Sequence, residues 1–159
     1  MMKQVSNLRT LAIDLGTRRI GLALSDAGGK WATPHEVLQV TDPVQAIEPI
    51  VALIKREDVA RVVIGMPINM DDTIGPAAKS VLSWTKLLQS KAESAGVHIE
   101  TIFVDERLSS FDAEQRLNDR KRAGENLTRK RKKEQLDALA AAGFLQAFLD
   151  GQLPRIEIE

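Results

Sequence analysis

Residues 10–26 read TLAIDLGTRRIGLALSD, two short apolar runs joined by Gly-Thr-Arg. A turn this short can only return the chain antiparallel to itself, because a parallel return needs a crossover of about a dozen residues. The second run alternates Ile20, Leu22 and Leu24 with Gly21, Ala23 and Ser25, the period of a strand with one face against a core. The first run is almost continuously apolar, as a central strand is, yet it carries Asp14 and is followed by Gly16. An aspartate at a strand end either caps the next turn or holds a metal or a phosphate-bound water. The second role requires more carboxylates.

The remaining elements follow by the same logic. HEVLQV is a third, weaker strand ending at Thr41, and Asp42-Pro43 opens a helix running to about Asp58, with Pro tolerated in its first turn. ARVVIGMP is a buried strand stopped by Pro67. The loop INMDDTIG leads to a helix with the stripe Ala77, Val81, Trp84, Leu88, Ala92, Ala95 and with Gly96 just past its end. VHIETIFVD is a strand, SSFDAEQRL starts a helix on a serine cap, Gly124 breaks helical continuity, and KKEQLDALAAAGFLQAFLD is the final helix. The order βββαβαβα, a meander and then βα units, predicts an α/β fold with a mixed five-stranded sheet and helices on its faces. One domain is expected over residues 1–159, with its core at about 9–150 and a tail, 151–159, that is an edge strand or disordered.

Composition narrows the chemistry. With 159 residues, 43% of them hydrophobic, the chain can build a full core. It has no cysteine, which excludes disulfides and thiolate metal sites. The two histidines, His35 and His98, lie in strand-like surroundings, so histidine catalysis and zinc binding are not expected. The opening MMKQVSNLRT lacks a signal-type apolar segment and no stretch is of membrane-spanning length, which leads to the expectation of a cytoplasmic protein with no membrane partner. Hard, oxygen-ligated chemistry remains. The 22 basic and 22 acidic residues cancel, but unevenly: residues 116–133 hold nine Lys/Arg and two acids, a local charge of +7. Such a run is either a solvated face or the electrostatic footprint of a polyanion.

Acids recur at the ends of apolar elements. Asp14 closes the first strand and Asp105-Glu106 closes the last, and ligands of open α/β sheets collect at carboxyl ends of strands. If those strands are parallel neighbours, Asp14 and Glu106 reach one cation. Asp137 shares a helical stripe with Ala141, Phe144 and Phe148, so it is either a first-turn acid favoured by the helix dipole or a carboxylate on a buried face. The latter is costly unless it is paired or binds a cation. Three converging carboxylates repel one another unless a divalent ion compensates, and oxygen ligands favour Mg²⁺ or Mn²⁺. Two such ions about 4 Å apart can activate water and stabilise the leaving oxygen in phosphodiester hydrolysis. On that reading Gly16 and Gly21, lacking Cβ atoms, let a phosphate backbone approach.

AIDLGTRRIGLALSD, VVIGMPINMDDTIGP, VDERLSSFDAE and LDALAAAGFLQAFLD, in this order and spacing across about residues 10–150, resemble the YqgF (RuvX) family of RuvC-like nucleases. The resemblance implies a ribonuclease-H-like fold and a divalent-metal triad of Asp14, Glu106 and Asp137, serving as both catalytic residues and metal ligands. It also implies Mg²⁺ or Mn²⁺ as cofactor and a nucleic acid as partner: precursor 16S ribosomal RNA, with a pre-ribosomal particle as its setting, or branched DNA. Where this chain reads NMDDT the family commonly reads NMDGT, so Asp72 stands in place of a glycine.

Other positions carry two readings each. Arg107 either clamps a phosphate or pairs with Asp105. Asn69 either touches nucleic acid or closes an Asx-turn. Thr17 and Arg18, in the hairpin turn, can face a substrate backbone, and Arg129, Lys130, Arg131 and Lys132 form the densest part of the basic run. Ser109 and Ser110 are helix caps, and Trp31 and Trp84 are packing residues. Without Tyr or interleaved aromatics, sequence-specific single-strand readout is not indicated. The functional expectation is a metal-dependent endonuclease for precursor rRNA, a monomer or weak dimer. A DNA junction resolvase shares that chemistry, and a non-cleaving RNA-binding assembly factor shares the fold. An actin-like ATPase also uses Asp-x-Gly-Thr, but it needs two such domains.

Overall fold

The computed structural model describes residues 7–105 and 129–157, with backbone only for 129–134. Five strands form one mixed sheet: β1 (Thr10–Leu15), β2 (Arg19–Ser25), β3 (Ala32–Gln39), β4 (Arg61–Met66) and β5 (Glu100–Asp105), in the spatial order β3-β2-β1-β4-β5. β1–β2 and β2–β3 pair antiparallel, and β1–β4 and β4–β5 pair parallel. The helices are α1 (Ile47–Arg56), α2 (Pro76–Ser94) and α3 (Arg129–Leu149). The meander and the mixed sheet are as expected. β1 and β5 are not neighbours: β4 lies between them, which sets them two strand spacings, about 9.5 Å, apart. The helix expected at SSFDAEQRL and the break at Gly124 lie outside the described residues.

The expected helix from Asp42 begins as a 3-10 turn, Pro43–Ala46, before becoming α1. Asp42 accepts from the Val44 N–H at 3.0 Å, while the Gln45 side chain reaches back to Thr41 and Asp42, a complete capping box. The stripe of α2 starts at Ala78, Ala77 being exposed. α2 and α3 both end in a Schellman arrangement with Gly96 (φ +78°) and Gly151 (φ +72°) in the left-handed position. The described part of the tail, residues 151–157, is neither strand nor loose: Ile156 N–H donates to the Phe103 carbonyl at 2.8 Å, Leu153 is buried, and Arg155 pairs with Glu100 at 2.7 Å.

Strand parity divides the sheet into two unlike faces. Leu11, Ile13, Ile20, Leu22, Val62, Ile64 and Met66 pack with Ile50, Ile54, Val81, Trp84 and Leu88 of α1 and α2 in a core of large side chains. Trp84 fills that core and donates Nε1–H to the Pro43 carbonyl at 2.9 Å. The opposite face presents Ala12, Ala23, Val63, Ile102 and Val104 to Ala141, Ala142, Phe144 and Leu145 of α3. Small residues on both sides let α3 approach closely, and the approach is tightest at Gly21. A Cβ added there would stand 2.1 Å from the carbonyl oxygen of Asp137 and 2.4 Å from its carbon. Gly21 is therefore the seat of α3, and its expected part in admitting a phosphate backbone is not what the contact shows. Gly16 is equally local: its Cβ would meet the Arg19 carbonyl at 2.4 Å, within the turn that Gly16 N–H closes on that oxygen.

The β2–β3 connection is organised by Asp26. Its carboxylate accepts backbone N–H bonds from Trp31 (2.8 Å), Lys30 (2.9 Å) and Gly28 (3.2 Å), and these donors, Trp31 first, hold its pKa below the ordinary carboxylate value. Gln146 of α3 ties the same hairpin down through Ala32 N–H and the Lys30 carbonyl.

Two outcomes are expected. Gly21→Ala must push α3 off β2 and should destabilise the protein by on the order of 3 kcal/mol in denaturant melts; a loss under about 0.5 kcal/mol would mean the helix is not seated there. Because the folded-state pKa of Asp26 is depressed, its contribution is present above the unfolded value near 3.8 and is lost as pH falls through the lower folded value. Asp26→Asn should thus be less stable than wild type at pH 7, with the gap closing in acid; a gap that persists below pH ~2 would refute this assignment.

Candidate active site

Asp14 lies near the end of β1, half-buried, and its register partner on β2 is Gly21. Residues directly opposite in an antiparallel pair project to the same face. The virtual Cβ of Gly21 points into the Asp137 backbone, so Asp14 faces α3 as well. Parity within β1 agrees: Leu11 and Ile13 belong to the α1–α2 core, and Ala12 to the α3 core. The backbones carrying Asp14 and Asp137 are thereby brought to within roughly 10 Å, which two aspartate side chains can bridge. The structure thus brings together two of the three expected acids from positions far apart in the chain.

Asp137 is on the stripe expected for it. Ala141 and Phe144 are buried and Phe148 partly so, while Asp137 sits at the rim with its side chain 26% exposed. Its carboxylate is paired: Arg19 Nε donates to Oδ2 at 2.7 Å. Arg19 was not singled out from the sequence. Parity in RRIGLA carries the missing signal, because Arg19, Gly21 and Ala23 share one face of β2 while Arg18 falls outside the strand. Arg18 and Thr17 are exposed in the turn, with the Arg18 carbonyl held by Val40 N–H at 2.9 Å.

Glu106 and Arg107 follow β5 directly and lie outside the described residues. The strand before them distinguishes the adjacent acids. Ile102 and Val104 face α3, whereas Phe103 packs toward the α1–α2 core and Asp105, in register with Met66, is in its phase. Asp105 therefore has the wrong parity for the site.

The loop after β4 is self-bracing. Asn69 Nδ2 donates to Thr73 Oγ1 at 3.0 Å and the Asn69 side chain fills the space beside Gly75. Asp71 makes an Asx-turn, its Oδ1 accepting from the Thr73 hydroxyl (2.5 Å) and N–H (3.1 Å); these bonds lower its pKa. Asp72 has φ +65°, the left-handed conformation in which glycine is at ease and which aspartate tolerates better than most residues. The loop thus keeps a glycine-type backbone with aspartate in place.

Helix α3 begins at Arg129, so Arg129, Lys130, Arg131 and Lys132 occupy its first turns, five to eight residues before Asp137. At 1.5 Å per residue this puts their backbones about 7–12 Å along the axis from that acid. Two carboxylates with oxygen-only donors, in a chain without cysteine, suit a hard divalent cation and not a soft one. Among the described residues no group of three His, Cys, Asp or Glu gathers.

Comparison with known proteins identifies the fold and the family. Two relatives, each named "Putative pre-16S rRNA nuclease", from Rhodospirillum centenum and Syntrophomonas wolfei, are each 38% identical over 144 residues. The match covers 91% of this chain, and 74% and 95% of theirs. A solved structure, Thermus thermophilus RuvC in complex with a Holliday junction substrate, superposes with a TM-score of 0.54 at 16% identity, covering 94% of this chain and 99% of that one. It shows a RuvC-like, ribonuclease-H-like fold. The RuvX family model, described as Holliday junction resolvase, matches residues 8–151, and the chain belongs to that family.

Proposed function

We propose that this protein is a divalent-metal-dependent endonuclease that hydrolyses phosphodiester bonds of structured RNA, its task being 5′ processing of precursor 16S rRNA in the cytoplasm. The observation that carries the reading is the stacking of Asp137 on Gly21, opposite Asp14. This places two acids from opposite ends of the chain at one spot on the sheet. Glu106, which follows β5 in the sequence, is the third acid of the set by the family motif VDER. The names borne by the curated relatives support the RNA substrate. The family description keeps a DNA four-way junction as the second reading.

Asp14 and Asp137 would hold the cation from two rigid elements, a central strand and a helix seated on it. Mg²⁺ or Mn²⁺ supplies a water of lowered pKa and stabilises charge on the leaving oxygen. The protein's part is geometric. Asp14, Glu106 and Asp137 bind and orient; Thr17 and Arg18, in the exposed turn beside Asp14, face the substrate backbone. Arg129, Lys130, Arg131 and Lys132 draw the polyanion onto α3, and Arg107 clamps a phosphate. Asn69 supports the loop 67–75 at the rim.

Purified protein is expected to cut a precursor 16S rRNA fragment in Mg²⁺ or Mn²⁺, and to cut a DNA four-way junction less well. Asp14→Asn should lower the rate by more than about 100-fold, because a lost ligand removes several kcal/mol of transition-state stabilisation. Cleavage that survives in that variant or in chelator would place the chemistry elsewhere. Replacing Lys130, Arg131 and Lys132 together with Ala should weaken RNA binding and reduce the log–log salt slope by about 2–3. An unchanged slope would return the basic run to the role of a solvated face.

A further inference from the structure

We propose that Arg19 is the positioning residue of the site: by holding one oxygen of Asp137 it leaves the other turned to the cation that Asp137 shares with Asp14. The inference rests on the metal-site reading above and adds a residue to it. Arg19 makes a single-point contact, Nε to Oδ2 at 2.7 Å, and not the two-pronged fork that would engage both oxygens. The second oxygen accepts no hydrogen bond from any described residue. A metal-ligating carboxylate is commonly oriented in this way, by a partner on the oxygen that is not the ligand.

The clamp is rigidly placed. Arg19 begins β2 opposite Gln39, and its carbonyl accepts from Gly16 N–H at 3.0 Å in the turn that follows Asp14. Arg19 and Gly21, two residues apart on one face of β2, therefore act on the same residue of α3. Gly21 makes room for the Asp137 backbone and Arg19 fixes its carboxylate.

A guanidinium near a cation site also repels the cation. The side chain of Arg19 is 38% exposed, so water screens its charge. The orientation it imposes on Asp137 is not screened. Orientation therefore outweighs repulsion, and loss of Arg19 weakens metal binding instead of tightening it.

The test is Mn²⁺ binding, followed by the electron paramagnetic resonance signal of free Mn²⁺, on wild type, Arg19→Ala, Arg19→Lys and Asp14→Asn, with circular dichroism confirming the fold of each. Arg19→Ala is expected to bind Mn²⁺ about 10- to 100-fold more weakly while folded. Arg19→Lys, which keeps a cationic donor but displaces it, should fall between the two. Unchanged or tighter binding in folded Arg19→Ala would overturn the proposal and make Arg19 a strap or a counter-charge. Should Arg19→Ala fail to fold, Arg19→Lys decides: a few-fold weakening upholds the proposal, and affinity equal to or above wild type overturns it. Asp14→Asn separates the two levels. Wild-type affinity in that variant would remove the metal site itself; lost affinity there with none lost in Arg19→Ala would remove only the role of Arg19.

Discussion

The backbone of Asp137 rests on a strand position with no side chain, and most of the molecule follows from that contact. A helix carrying Ala138, Ala140, Ala141 and Ala142 can lie this close to a sheet only where the sheet offers Ala12, Gly21 and Ala23. Any larger residue at position 21 would lift the helix and draw its carboxylate away from Asp14. Backbone proximity, and not a particular side-chain reach, makes the acid pair.

The asymmetry of the two faces then has a functional sense. The α1–α2 side is a core of Leu, Ile, Val, Met and Trp that stabilises the sheet, each buried side chain contributing on the order of 2 kcal/mol. The α3 side gives up bulk for proximity. It is anchored at its far end by Gln146 on the β2–β3 hairpin and by Phe148, flanked by Arg61 and Arg155 with guanidinium carbons 5.5 and 6.0 Å from the ring centroid. With α3 seated at Asp137 and anchored again near its C-terminal end, the spacing between Asp137 and Asp14 is set by the whole face, as a site built on rigid elements requires.

Much of this was legible in the letters. Alternation in RIGLALS marked the α1–α2 face of β2, and stripe spacing placed Asp137 on the inward side of its helix, because side-chain direction in strands and helices is a local property. The role of Gly21 was not legible, since an absent side chain does not say whether a ligand or a helix fills its space. Arg19 was missed for a related reason: its partner is 118 residues away, and only the docking of α3 makes the two adjacent.

Sequence alone determined the described strands and helices, their faces and, through four motifs in order, the family, all of which rest on short-range periodicity, turn stereochemistry and residue type. Tertiary structure alone decided that β4 stands between β1 and β5 and that Arg19 holds Asp137. Strand order and helix seating depend on how distant surfaces exclude water together and on where a backbone can pass without a Cβ in its way, and neither quantity is contained in any single stretch of the chain.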